Sequence, residues 1–255
     1  MLIPGLQGRW EFHEATVHAL SAGARVLTFS LDDVPQDRAS RDDQLIDGYR
    51  GAIEQVLDGA QVERAAICGI SYGGLPALRF AATRPDRTSS LVLASTPGPG
   101  FHLKARHAMY ARWPRLFGPV FAIETPRRLA PEIRSAFADR AKRRRFRLNQ
   151  LKTVLTAPVS FPAMAARARS IETSDSVSDA GRVSSPALIL VGDQDLDAVV
   201  NPESTIALAS HICGARLETL SRTGHLGSMT HAAAFAALVL PFIGKAHSNS
   251  HDSAA

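Results

Sequence analysis

The sequence predicts an α/β fold, with a mostly parallel central sheet flanked by helices and a helical cap inserted into it. Three observations carry this. Short apolar runs that read as buried strands alternate with longer amphipathic stretches, the pattern of strands joined by crossover helices. That alternation stops between about residues 98 and 183, where strand runs vanish, Arg and Pro become frequent and the apolar spacing turns helical or irregular. A glycine-bracketed serine lies at residues 69–74, between one strand run and the helical stretch that follows it.

In chain order, the strand runs are residues 2–4, 25–31, 65–70, 90–95, 187–191 and 216–220. Between the second and third, Leu45, Ile46, Tyr49, Ile53, Val56 and Leu57 recur at helical spacing and give one apolar stripe, so this segment is a crossover helix. The stretch after Tyr72 is a second helix, ended by Arg84-Pro85-Asp86. These divisions give a first core segment over residues 1–97, a cap over 98–183, a second core segment over 184–245 and a disordered tail over 246–255, where AHSNSHDSAA is small and polar. No internal repeat is evident.

Bulk properties narrow the function. A chain of 255 residues with 45 % apolar content can bury one large core. The net charge of +5 is modest, and Lys and Arg are spread along the chain, which argues against nucleic acid as a partner. No apolar run approaches the roughly 18 residues of a membrane span. The start, MLIPGLQGRWEF, lacks a basic segment followed by an apolar one, so no secretory signal is visible. The two cysteines, Cys68 and Cys213, make neither a disulfide framework nor a metal set; both read as packing residues, and a cytoplasmic location is expected.

The chemistry is expected at Gly69-Ile70-Ser71-Tyr72-Gly73-Gly74, a G-x-S-x-G placed after a strand and before a helix. Such a turn strains the serine backbone and leaves no room for side chains at the flanking positions, which accounts for the glycines. It presents Oγ at a helix N-terminus, where amide dipoles favour developing negative charge. Serine needs a base to take its proton, and in this motif order the base comes last in the chain. His225, in Thr223-Gly224-His225-Leu226-Gly227, follows the last strand run and precedes the final helix. His211 and His231 are the other late histidines, whereas His13, His18, His247 and His251 read as solvated surface residues.

The third member must be an acid that fixes the imidazole tautomer. The string GDQDLDAVVNPE offers Asp193, Asp195 and Asp197. Spacing from Gly192 favours Asp195, spacing back from VVNPE favours Asp197, and Asp195 is preferred with Asp197 kept open; Asp193 reads as a solvated turn residue. An oxyanion would be held by two backbone N–H groups, from Tyr72 after the nucleophile and from Leu6 in LIPGLQGRW, where Gly5 and Gly8 permit a turned backbone.

The ordered set PGLQGRW, GISYGG, VGDQD and TGHLG resembles the α/β-hydrolase superfamily, in the cap-bearing branch that contains carboxylesterases, haloperoxidase-like enzymes and carbon–carbon bond hydrolases. The resemblance covers nearly the whole chain. It implies a helical lid, no cofactor, and a Ser/Asp/His triad carried onto Ser71, Asp195 or Asp197, and His225. The chain departs from the pattern in having Pro4-Gly5 where members commonly have His-Gly, and Asn201 where some have proline. Its first strand would be the family's third, so the usual N-terminal edge hairpin is missing, and either a native start upstream of Met1 or a reduced stability is expected.

The expected function is hydrolysis of a small, apolar ester through an acyl-enzyme on Ser71. The alternatives are carbon–carbon bond hydrolysis of a vinylogous diketone with the same triad, and a non-catalytic ligand receptor on the same fold. The run at residues 142–147, KRRRFR, reads as a solvated cap-helix face in preference to a nucleic-acid or lipid patch. Phe101, Tyr110, Trp113, Phe117 and Phe121 read equally as the wall of an apolar pocket and as the cap's own small core. Oligomeric state is not legible.

Overall fold

The computed structural model describes residues 1–35 and 42–252, the side chains of Asp43 and of residues 247–252 excepted. Among the described residues five strands form one sheet: β1 (Leu2–Ile3), β2 (Ala65–Ile70), β3 (Thr88–Ala94), β4 (Ala187–Val191) and β5 (Arg216–Thr219). All neighbours are parallel and lie side by side in chain order. Residues 25–31, expected as a strand, join only through one bridge between Thr28 and Leu2, with the Leu2 N–H donating to Leu27 O at 2.8 Å. β1 is two residues long and Pro4, which has no N–H to donate, follows it, so there is little ladder to extend.

Between β1 and β3 lie α1 (Glu14–Ser21), α2 (Leu45–Gly59) and α3 (Gly74–Thr83). Between β3 and β4 come α4 (Ala105–Arg112), α5 (Pro114–Arg128), α6 (Ala130–Ala136), α7 (Arg140–Thr156), α8 (Phe161–Glu172) and α9 (Ser176–Arg182). The second core segment adds α10 (Pro202–Ser210), α11 (Gly227–Thr230) and α12 (Ala232–Asp252).

Strand side chains alternate between two cores, as a period of two requires when both faces of a sheet are covered. Ile67, Leu91, Leu93 and Ile189 pack with α2, α3, α9 and α10 on one face. Cys68, Ile70, Val92, Leu188 and Leu190 pack with α1 and α12 on the other. Each fully buried aliphatic of this kind stabilises its layer by about 2 kcal/mol relative to exposure. β5 closes the sheet as a largely exposed edge, which tolerates Arg216 and Glu218.

The helices between β3 and β4 divide in their attachment. α9, which falls inside the expected cap range, packs in the main core through Ala180 and against α3. α7 buries none of its residues, and the basic run at 142–147 lies on its half-buried and exposed positions. α12 runs on to Asp252, past Lys245, where an irregular tail is expected; its buried stripe through Phe235, Val239 and Ala246 keeps it seated on the core, and residues 253–255 lie outside the described range. Cys68 is buried as expected, but Cys213 is exposed. No described helix is long and apolar enough to cross a membrane.

Candidate active site

β2 ends at Ile70, and Ser71 turns the chain through φ 53°, in the left-handed region that costs an L-residue energy. A single tight turn then leads into α3. The turn lies against the end of β1 so closely that a Cβ at Gly73 would run into the carbonyl oxygens of Ile3 and Pro4. A side chain there would push the strand away, and with it the Leu6 loop. Ser71 is buried except for a small opening (8 % exposed), and its hydroxyl makes no hydrogen bond to any described residue.

The loops after β4 and β5 meet at a second close approach. A Cβ at Gly224 would collide with Leu196 O and lie 2.7 Å from Asp197 N. Here the three aspartates separate. Leu196 N–H and Asp197 N–H both turn back onto Asp193 O, at 3.0 and 3.3 Å, so the chain curls and presents residue 197 to the histidine loop. Asp197 Oδ2 lies 3.3 Å from His225 Nδ1, while its Oδ1 accepts the N–H groups of Val199 and Val200, both at 2.9 Å. Asp195, the acid preferred from spacing, is left exposed and pairs with no described residue. Asp193 is no idle turn residue either: its Oδ2 accepts the Arg222 N–H at 2.7 Å, tying the two loops together.

The electrostatics suit a proton relay. Burial by itself would lower the His225 pKa, but the charge and hydrogen bond of Asp197, with Glu132 beyond, leave it raised above 6.5. Burial would raise Asp197, yet His225 and the two amides hold it below the usual carboxylate range. His13, expected at the surface, is buried near His225; burial and the neighbouring imidazole push it down to about 4, so it is neutral at physiological pH.

Leu6 and Tyr72, the expected oxyanion donors, line one cavity with Ser71 and His225. The Leu6 N–H makes no hydrogen bond to a described residue, whereas its carbonyl accepts from the Nε of Arg167 at 2.9 Å. Arg167, on α8, is fully buried and also donates to Gln7 O (3.3 Å), Tyr49 Oη (3.2 Å) and Asp32 Oδ1 (2.7 Å). One turn on, Ser170 Oγ meets Tyr72 Oη at 3.0 Å, and Tyr72 packs edge-on to Tyr49. One helix thus grips both halves of the expected oxyanion site. The sequence carried a faint sign of this: Arg167 stands among Met164, Ala165 and Ala168 on the buried stripe of α8, where an unpaired charge would be costly.

The cavity, of about 130 Å³, is roofed by Phe101, Tyr110, Phe121 and Phe161. The expected aromatic cluster therefore splits: Phe117 stacks on Tyr110 with centroids 5.4 Å apart, and Trp113 faces solvent. Into the same cavity comes Arg128, whose Nη1 lies 2.7 Å from His107 Nε2 and whose buried Nε has no partner. Burial, then the Arg128 charge, lowers the His107 pKa, so its neutral ring accepts the guanidinium hydrogen bond. Among the described residues no three His, Cys, Asp or Glu side chains converge as a metal site would need.

Curated relatives span nearly the whole chain. A 2-hydroxy-6-oxononadienedioate/2-hydroxy-6-oxononatrienedioate hydrolase of Cupriavidus pinatubonensis is 27 % identical over 94 % of this chain and 83 % of its own length. A 2-hydroxymuconate semialdehyde hydrolase of a Pseudomonas species is 29 % identical over 87 % of this chain and 75 % of its own. Among solved structures, the enol-lactonase of Burkholderia xenovorans superposes with TM-score 0.74 at 24 % identity, covering 95 % of this chain and 90 % of that one. The family model of the alpha/beta hydrolase fold matches residues 1–232, and with a parallel sheet, a strained serine turn and an Asp–His pair assembled on it, this chain belongs to the α/β-hydrolase fold family.

Proposed function

We propose that the protein is a serine hydrolase that breaks a carbon–carbon bond beside the ketone of a small carboxylate-bearing substrate, through an acyl-enzyme on Ser71. The observation that carries the reading is that Ser71 and the Asp197-paired His225 line one cavity, beneath a cap formed by α4 to α8. Two things support the carbon–carbon choice over the simple ester. The Cupriavidus relative is named for a 2-hydroxy-6-oxo dienedioate, a compound without an ester to cut, so water can split it only next to the ketone. The cavity also holds Arg128, a half-buried cation whose buried Nε is unpartnered and which is suited to a carboxylate.

In this reading His225 takes the Ser71 hydroxyl proton as Oγ attacks the ketone carbon, and the carbonyl electron pair becomes an alkoxide held by the N–H groups of Leu6 and Tyr72. Asp197 keeps the imidazole in the right tautomer and stabilises its cation. When the carbonyl re-forms, the carbon–carbon bond breaks. The 2-hydroxy dienoate enters this step as its diketone tautomer, the enol proton having moved from oxygen to the carbon beside the ketone; the electron pair of the broken bond is then delocalised into the second carbonyl, and His225 returns its proton to carbon. A water, deprotonated by His225, then releases the acid from Ser71. Cleavage of an ester by the same residues is the second reading, favoured by the aromatic roof of Phe101, Phe121 and Phe161.

The test is kcat/KM on a 2-hydroxy-6-oxo-2,4-dienoate against a series of nitrophenyl esters, for the wild type and Ser71→Ala. The dienoate should be preferred, and Ser71→Ala should fold normally while losing about 10⁵-fold or more in kcat. Higher turnover of esters decides for the second reading. An Ala variant with full activity on both removes the mechanism, and a wild type inert to a fluorophosphonate that still binds a small ligand tightly points to a receptor.

A further inference from the structure

Glu132 lies on α6, in the helical segment between β3 and β4, yet it is 1 % exposed. Its Oε1 accepts the Gly224 N–H at 2.8 Å and the Leu226 N–H at 2.6 Å, the two amides on either side of His225. Its Oε2 is buried without a partner. A carboxylate so placed is costly to bury, and two short amide bonds recover only part of that cost. The hydrogen bonds fall on the two neighbours of the residue whose ring must reach Ser71, and no other described side chain is hydrogen-bonded from the helices above to this loop.

We propose that Glu132 is a positioning residue for His225: its carboxylate clamps the N–H groups of the two residues that bracket the histidine and holds the loop that carries the imidazole. This rests on the reading of His225 as the base for Ser71. The clamp fixes where the loop stands, whereas Asp197 fixes how the ring is turned about its own bonds. The groups facing the ring are Asp197 from the loop after β4, Glu132 from α6, Arg128 from the end of α5, and the neutral His13 from the turn before α1. Glu132 and Asp197 favour the imidazolium, and Arg128 opposes it. Removing the Glu132 charge while keeping its oxygen acceptor therefore lets His225 lose its proton at lower pH.

The experiment follows the rate of labelling of Ser71 by a fluorophosphonate, read by intact mass across pH, for the wild type, Glu132→Gln, Glu132→Ala and Ser71→Ala. The readout depends on the serine and its base and not on substrate identity. Glu132→Ala should label about a hundredfold more slowly at its plateau, the scale of loss when a reacting group is displaced by about 1 Å. Glu132→Gln should recover to within a few-fold of the wild type, with its acidic limb moved to lower pH. Labelling of Glu132→Ala at wild-type rate, a Glu132→Gln as slow as Glu132→Ala, or an unmoved acidic limb in Glu132→Gln each overturns the proposal and leaves the Ser71 reading standing. A wild type that labels no better than Ser71→Ala overturns both.

Discussion

The loops at the ends of the strands and the helices between β3 and β4 build the same cavity by different means. The strand-end loops carry Ser71, Asp197 and His225, and are shaped by backbone: a left-handed serine, a glycine pressed on β1 and a glycine pressed on the loop after β4. The helices carry Glu132, Arg167 and Ser170, and act through side chains reaching into those loops. The candidate reactive groups thus stand in short local patterns, and the side chains that hold their loops come from about 90 to 160 positions away along the chain.

This contrast can be broken at several points. Under the proposed function, the largest effect after loss of Ser71 is expected at Asp197: Asp197→Asn should leave the fold intact and lower kcat by about 10⁴-fold, because an amide presents the imidazole with the wrong donor pattern. Steady-state kinetics beside a circular dichroism spectrum reads this; a loss under tenfold would dissociate the Asp197 contact from catalysis. Next comes the helix side. Arg167→Met strips Leu6 O, Gln7 O and the Asp32 carboxylate of their buried partner, so it should cost about 3–5 kcal/mol and lower the melting temperature by on the order of 10 °C. An unchanged melting temperature would mean the Leu6 loop holds itself. The smallest effect is expected at the acid that spacing preferred: Asp195→Asn should change kcat/KM by less than about twofold and stability by under about 0.5 kcal/mol, as for an exposed residue without partners. A large loss there would reverse the assignment of the acid.

The same contrast explains what could be read from the sequence. The alternation of apolar runs with amphipathic stretches disclosed β2, β3 and β4 because each strand is buried between two helix layers, whereas β5 is an exposed edge. That Ser71 and His225 stand in strand-end loops facing one cavity was legible because strand ends followed by glycine-rich turns are local signals. Residues 25–31 misled because an apolar run needs a ladder to join, and β1 offers two residues. The choice between Asp195 and Asp197 turns on how tightly the chain curls onto Asp193 O, a geometry that spacing does not record. Glu132 and His13 were invisible for a plainer reason: a lone acid on a short helix, or a lone histidine near a helix start, has no pattern until the loop that buries it is known.

Arg167 bears on motion as well as on stability. With its guanidinium shared among Leu6, Gln7, Tyr49 and Asp32, α8 is pinned to the floor of the molecule. In the proposed hydrolase, a substrate's way in and a product's way out are expected past α4 to α7, with α8 as the fixed sill of the doorway.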